Sequence, residues 1–144
     1  MQFRRLIVLV AVLSGCATSI DDSRLQGTWR SNREVTLDEA FRRDPRLTNA
    51  PPERIQRFKE MFGHLTLTYS NGISTTLWHG KAESARYRVI KRGSNYVVVR
   101  PCDGVESGRD IRLRFVDGDR GYWVQTPLGF EERFDRVGEP NTKQ

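Results

Sequence analysis

The feature that most constrains this chain is the alternation of apolar and polar residues that fills its second half. After Gly63, short alternating segments follow one another, separated by loop-like runs such as KRGSN, DGVESG and DGDRG. Alternation with a period of two places successive side chains on opposite faces of an extended strand. Together with one segment before Gly63, the pattern predicts eight short strands, covering residues 27–35, 64–70, 73–79, 83–90, 96–100, 110–116, 121–125 and 130–137.

Short loops connect most of these strands, which favours antiparallel neighbours. Asn71-Gly72 is the strongest turn signal, because a type I′ hairpin needs positive φ at both central residues. A two-residue loop at this position pairs Leu65 with Trp78. Closing such a sheet on itself removes its unpaired edges. We therefore predict a mainly β fold, an eight-stranded antiparallel up-and-down β-barrel, with a two-sheet sandwich as the alternative.

The segment between strands one and two departs from alternation and predicts a short helical insertion. Residues 36–39 fit a capping box, and Pro45 disfavours helical geometry at the residue before it, which predicts a brief helix. A second helix is expected from the prolines at 51 and 52 to a stop at Gly63. Apolar side chains at helical spacing share one face of this second helix. We expect them to form a lid facing the barrel mouth: Ile55, Phe58 and Phe62.

The first sixteen residues, MQFRRLIVLVAVLSGC, have the pattern of a secretory signal. Two arginines precede an apolar run that is too short to span a bilayer. Residues 13–16 (LSGC) resemble a bacterial lipobox, and this resemblance implies cleavage before Cys16 and acylation of its sulfur. Ala17 at the next position implies sorting to the outer membrane, facing the periplasm. The alternative is an ordinary cleaved signal that ends near Ala17.

These assignments divide the chain into four parts: a signal peptide at 1–15, a tether at 16–24, the barrel domain at 25–138 and a tail at 139–144. Removal of the signal leaves 22 basic and 18 acidic residues, a net charge of +4. The basic residues are scattered instead of forming a stripe, which disfavours a nucleic-acid partner. With Cys16 acylated, we expect no disulfide within the chain, because Cys102 is the remaining cysteine.

Residues 25–31 (LQGTWRS) resemble the Gly-x-Trp entry of the calycin barrels, which include lipocalins, fatty-acid-binding proteins and avidin-like proteins. The resemblance implies that Trp29 plugs the closed end of the barrel and that an arginine of the last strand lies across its indole. That strand reads FEERFDRV, so the arginine is Arg136 or Arg133. Period two favours Arg136, because it shares a face with Glu132 and the inward phenylalanines. The two predicted helices resemble the portal lid of the fatty-acid-binding proteins, which differ in having ten strands and an intracellular location.

The interior of an eight-stranded barrel is either filled by side chains or holds one small ligand. An inward arginine would favour a ligand with a carboxylate or phosphate head, because a buried guanidinium needs a partner. A salt bridge within the chain is the alternative. The candidate ligand-binding residues are Trp29, Arg33, Leu65, Leu67, Tyr69, Trp78, Tyr87, Leu113, Phe115, Phe134 and Arg136.

The hairpin register also places His64 opposite His79, with Cβ atoms about 5 Å apart. Two imidazoles with Glu83 as a third ligand could hold a metal ion. Two partly solvated histidines are the alternative, and we expect no metal and no cofactor. No pair of acids and no Ser-His or Cys-His arrangement indicates catalysis, so we expect a protein that is not an enzyme.

Two functions follow from this reading. The first is an envelope lipoprotein whose lipocalin-like barrel binds a small hydrophobic or amphipathic ligand. The second is a protein-binding scaffold or inhibitor module with a filled barrel. Residues 82–89 (AESARYRV) resemble a Ser-x-x-Tyr segment of periplasmic lysozyme inhibitors, but a net charge of +4 would be repelled by the basic target of those proteins.

Overall fold

The structure is a computed structural model, and it describes residues 21–138. The predicted signal peptide, the lipobox with Cys16, most of the tether and the tail lie outside the described residues. Eight strands form one closed barrel, in which each strand pairs antiparallel with the next and β8 pairs with β1. The predicted up-and-down barrel is therefore confirmed. The strands are β1 Gly27–Ser31, β2 Leu65–Ser70, β3 Ile73–Trp78, β4 Lys81–Arg92, β5 Tyr96–Pro101, β6 Ile111–Val116, β7 Gly121–Gln125 and β8 Glu131–Val137.

The hairpin between β2 and β3 has the predicted register. Leu65 pairs with Trp78, and Tyr69 pairs with Ser74. The turn residues Asn71 and Gly72 have φ of 51° and 76°, as a type I′ turn requires. This local chemistry sets which side chains of the two strands point into the barrel.

Three helices lie between β1 and β2, where two were predicted: α1 Arg33–Arg43, α2 Pro45–Thr48 and α3 Pro52–Glu60. The chain turns from strand to helix earlier than predicted, because the side chain of Asn32 accepts a hydrogen bond from the Val35 amide and so caps α1. Thr36, the predicted cap, lies inside α1, and its hydroxyl accepts a hydrogen bond from the Arg133 amide. Arg33, a candidate ligand-binding residue, is exposed at the start of α1 and does not line the cavity inside the barrel.

The helices pack against β8 and against the loop that precedes it. Phe58 of α3 is buried and contacts three aromatic rings, with centroid separations of 6.0 Å to Phe41, 5.2 Å to Phe62 and 4.8 Å to Phe130. Phe130 belongs to the loop between β7 and β8, and α1 packs against β8. Within residues 21–138, no helix combines the length and the apolar character needed to cross a bilayer.

The two ends of the barrel differ. At one end, residues 21–26 and the turns at 71–72, 93–95 and 117–120 meet. At the other end lie the helices, the turn at 79–80 and the loops at 102–110 and 126–130. We call these the closed end and the open end.

Candidate functional site

Trp29 occupies the closed end. Its side chain is fully buried, and the indole N–H donates a hydrogen bond to the Leu25 carbonyl at 2.8 Å. The guanidinium of Arg136 lies 4.2 Å from the centre of the Trp29 ring and donates hydrogen bonds to the carbonyls of Gln26 and Arg24. The prediction that Arg136 crosses the indole is confirmed. The guanidinium of Arg136 is therefore held at the closed end by the indole and by two backbone carbonyls.

Arg133, the other candidate, points to the outside of the barrel. It forms ion pairs with Asp135 at 2.7 Å and with Asp117. Its guanidinium also lies 5.8 Å from the centre of the Trp123 ring. Alternation along β8 therefore separates the two arginines, one toward the closed-end plug and one toward the outer surface.

Above the plug lies a cavity of about 340 Å³ that opens toward the open end. Its volume is at the low end of the range for small-molecule sites, which is about 300–1,000 Å³. The wall is mostly apolar, and residues of the β5–β6 loop line the mouth. Six of the predicted ligand-binding residues line this cavity: Leu65, Leu67, Tyr69, Tyr87, Leu113 and Phe134.

The other predicted ligand-binding residues lie elsewhere. Phe115 is buried beside Trp29 in the closed end, with a ring separation of 6.2 Å. Trp78 was expected inside the barrel but is 55% exposed. It stands at the last position of β3, where the chain turns at His79 and Gly80, and its ring contacts His79 at 5.0 Å. The barrel wall ends before it can enclose this side chain.

The predicted lid residues do not line the cavity. Phe58 and Phe62 are buried, while Ile55 is half-buried in α3. The aromatic side chain of Phe130 gives α3 an apolar surface beside the barrel, so the helix packs there. The mouth is bordered instead by the β5–β6 loop, including Val105.

Three buried polar groups that line the cavity on β7, on β8 and in the loop between them were not among the predicted site residues. Tyr122 is fully buried, and Thr126 has a buried hydroxyl oxygen. Within the described part of the chain, neither hydroxyl has a hydrogen-bond partner of good geometry. Burial, with added effects from nearby Tyr69 and Glu132, holds the pKa of Tyr122 well above its ordinary value. These are hydroxyl groups that can hydrogen-bond to a ligand.

Glu132 is the third of these polar groups and is 5% exposed. Its carboxylate accepts a hydrogen bond from the Ser31 hydroxyl, which in turn accepts one from the Gly63 amide at 2.9 Å. Burial raises the pKa of Glu132, and the hydrogen bonds from Ser31 and Gly63 and the charge of His64 oppose this effect only in part. The strand pattern predicted the inward direction of Glu132, but only the folded barrel shows that it borders a cavity.

Two tyrosines, Tyr69 and Tyr87, form the floor of the cavity, and Tyr87 contacts the N-terminal segment. Tyr87 donates a hydrogen bond to Asp21 at 2.7 Å, and burial raises the pKa of its hydroxyl. Tyr69 meets Tyr87 edge to face with centroids 5.3 Å apart. Burial raises the pKa of Tyr69 to about 12, so its hydroxyl stays protonated at neutral pH.

His64 and His79 lie together as the hairpin register predicts, with ring centroids 4.8 Å apart. The Nε2 atom of His64 lies 2.8 Å from the Glu60 carbonyl oxygen. Glu83 borders the cavity instead of completing a site with the two rings. Across residues 21–138, no three metal-ligating side chains are grouped.

Cys102, which directly follows β5, is disulfide-bonded. The chain contains one other cysteine, Cys16, which lies outside the described residues. This bond is at odds with the expectation that Cys102 has no disulfide partner within the chain.

A closed eight-stranded barrel with an indole and an arginine at one end is compatible with a calycin-like fold. The cavity, the buried hydroxyls of Tyr122 and Thr126 and the buried carboxyl of Glu132 form the candidate site. No protein-family model, no curated protein and no solved structure matches this chain.

Proposed function

We propose that this protein binds a small amphipathic molecule inside its barrel and is not an enzyme. The observation that supports this proposal is the cavity of about 340 Å³, which combines an apolar wall with two buried hydroxyls, those of Tyr122 and Thr126, that make no hydrogen bond of good geometry within residues 21–138. A buried polar group without a hydrogen bond costs about 1–3 kcal/mol. A ligand that supplies those bonds would recover this free energy while burying its own apolar surface.

We further propose that the protein is a bacterial envelope lipoprotein anchored through Cys16, in the outer membrane and facing the periplasm. Asp21 lies at the closed end, where its carboxylate accepts the hydrogen bond from Tyr87. Five residues of extended chain span about 17 Å, so a lipid on Cys16 would hold the closed end near the bilayer. The mouth of the cavity would then point away from that membrane.

The test of ligand binding is titration with a neutral naphthalene dye whose fluorescence rises in apolar surroundings. Leu67→Trp places a large side chain in the cavity, and Thr66→Trp, on the opposite face of β2, is the matched control. We expect saturable binding by the wild type and Thr66→Trp, and at least a tenfold loss in Leu67→Trp. Equal binding by both variants, or no binding by the wild type, would contradict the proposal.

One observation favours the second candidate function, a protein-binding scaffold. Large apolar side chains are exposed on three separate segments of the open end: Trp78 at 55%, Val105 at 96% and Leu128 at 65%. Exposed apolar groups concentrated in one region are typical of contact surfaces. Cross-linking in intact cells, followed by recovery of a stoichiometric partner that is lost in Trp78→Ser, would support this role over ligand binding.

A further inference from the structure

The charges that face the cavity are mostly negative. Among the described residues, the lining carries four carboxylates and one guanidinium. That guanidinium, Arg109, pairs with Glu106 at 2.9 Å near the mouth. Asp103 pairs with Arg86 on the outer surface, while Glu132 lies inside. The electrostatic character of the site therefore favours a cation and disfavours an anion.

The two arginines predicted to bind an acidic head group, Arg136 and Arg33, do not line the cavity. Arg136 is held at the closed end by Trp29 and by two backbone carbonyls. Arg33 is exposed on α1. A carboxylate ligand would have to enter beside Glu132, where two like charges would share a buried site at a cost in free energy.

Glu132 has acceptor capacity to spare. The Ser31 hydroxyl gives its single proton to one oxygen of Glu132, and the Gly63 amide, which donates to Ser31 at 2.9 Å, also interacts with the carboxylate. A carboxylate has about four lone-pair positions, so about two of them stay available. The Tyr122 hydroxyl interacts electrostatically with Glu132 and lies near the Tyr69 hydroxyl, but it makes no hydrogen bond of good geometry in the described part of the chain.

Aromatic side chains line the same cavity as this carboxyl. Tyr122 and Phe134 stack with centroids 5.2 Å apart, and Tyr69 and Tyr87 line the cavity floor. Rings of this kind attract a cation that lies within about 6 Å of their faces. A protonated amine has up to three donor hydrogens, which suits one carboxylate and a nearby hydroxyl.

We propose that the cavity selects amphiphiles with a protonated amine head, which binds to the Glu132 carboxylate and the Tyr122 hydroxyl while the apolar part lies against the β2 and β6 side chains. This inference rests on the proposed function, because it names the class of ligand for the same cavity. The raised pKa of Glu132 agrees with a buried carboxyl that forms no ion pair with a lysine or arginine within residues 21–138.

The experiment compares three ligands of equal chain length, octylamine, 1-octanol and octanoate, by isothermal titration calorimetry at pH 7.5. We expect octylamine to bind at least tenfold more tightly than octanoate, with 1-octanol between them. Octanoate or 1-octanol binding as tightly as octylamine would overturn the selectivity while leaving ligand binding intact. If none of the three binds, the proposed function itself fails.

Two variants test whether Glu132 and Tyr122 cause the preference for octylamine over octanoate. Glu132→Gln should remove most of the difference between octylamine and octanoate, whereas Glu131→Gln, at the neighbouring outward position paired with Arg114, should preserve it. Tyr122→Phe removes only a hydroxyl and should weaken octylamine binding several-fold, so the proposal stays testable if Glu132→Gln does not fold. An unchanged ratio of affinities in both cavity variants would overturn the proposal.

Discussion

The guanidinium of Arg136 lies over the indole of Trp29, 4.2 Å from the ring centre, and joins the last strand to the first. Two carbonyls of the N-terminal segment, those of Gln26 and Arg24, accept its hydrogen bonds. One side chain therefore holds the strand closure, the aromatic plug and the entering chain together. It also keeps this positive charge out of the cavity.

Arg136→Ala should lower the free energy of unfolding by about 2–3 kcal/mol, because it removes a cation–π contact and leaves two carbonyls without their charged donor. Arg112 offers a control, since its guanidinium lies 4.0 Å from the Tyr96 ring centre but the residue is exposed. Arg112→Ala should cost less than about 1 kcal/mol. Urea denaturation measures the free energy of unfolding of both variants. Equal decreases in the two variants would show that the Arg136 contact stabilises the fold no more than the exposed Arg112 contact.

Gly27→Ala should also destabilise the closed end. Gly27 has φ of 115°, and an added Cβ would lie 3.0 Å from a guanidinium nitrogen of Arg136. Gly108 has φ of 77° with no atom within 4 Å of such a Cβ, so Gly108→Ala reports the backbone strain alone. We expect the free energy of unfolding to fall by about 1 kcal/mol in Gly108→Ala and by at least about 2 kcal/mol in Gly27→Ala. Thermal unfolding measures both variants, and a larger decrease in melting temperature for Gly108→Ala than for Gly27→Ala would refute the prediction.

Phe58→Ala should destabilise the protein by about 3 kcal/mol, as expected for a buried aromatic side chain that contacts three other rings. Ile55→Ala, on the same helix but only half-buried, should cost about 1 kcal/mol. Chemical denaturation measures the free energy of unfolding of Phe58→Ala and Ile55→Ala. A lid residue that merely faced the mouth would lose little stability on truncation, so a small effect of Phe58→Ala would favour the lid interpretation.

Glu132→Gln should stabilise the fold more at pH 8 than at pH 4. Burial raises the pKa of Glu132 in the folded state, so any stability that the carboxyl contributes is present at low pH and lost as pH rises through that value. The neutral amide of Glu132→Gln does not ionise, so the variant does not lose this stability as pH rises. Unfolding curves recorded across the pH range give the difference between variant and wild type, and a difference that shrinks with rising pH would contradict the expectation.

Asp103→Asn is a control, because the pH dependence of its effect on stability should have the opposite sign to that of Glu132→Gln. The hydrogen bonds and charge of Arg86 hold the pKa of Asp103 below its ordinary value, so its stabilising effect is present at neutral pH and lost on acidification. Asp103→Asn should therefore lie closer to the wild type at pH 3 than at pH 7. The same titration measures both variants.

Cys16→Ser should release the protein from the membrane fraction, because the proposed anchor is a lipid on that sulfur. Cys102→Ser should leave the protein in the membrane fraction. A single sulfur cannot carry a thioether-linked lipid and a disulfide together, so the intact mass of the extracted protein distinguishes the two states of Cys16. Membrane retention of Cys16→Ser, with no acyl mass on the wild type, would reject the anchor.

Local sequence patterns predicted most of the scaffold. Strand positions, the Asn71-Gly72 hairpin and the inward direction of Glu132 and Arg136 depend on alternation and turn chemistry, which act within a few residues. For the same reason the helical insertion was expected where proline and helical spacing interrupt the alternation. Its start was misplaced, because Asn32 caps α1 through its own side chain and Thr36 does not.

The site depended on contacts between residues distant in the chain. Alternation assigned Trp78 to the interior, but the barrel wall ends at that position and leaves it exposed. Phe58 was expected over the mouth, but Phe130 provides a packing surface beside the barrel. The sequence by itself determined that the chain closes as eight strands around an indole. Only the tertiary structure decided that a cavity stays unfilled beside Glu132 and Tyr122, because packing in three dimensions sets which inward side chains meet and which leave space.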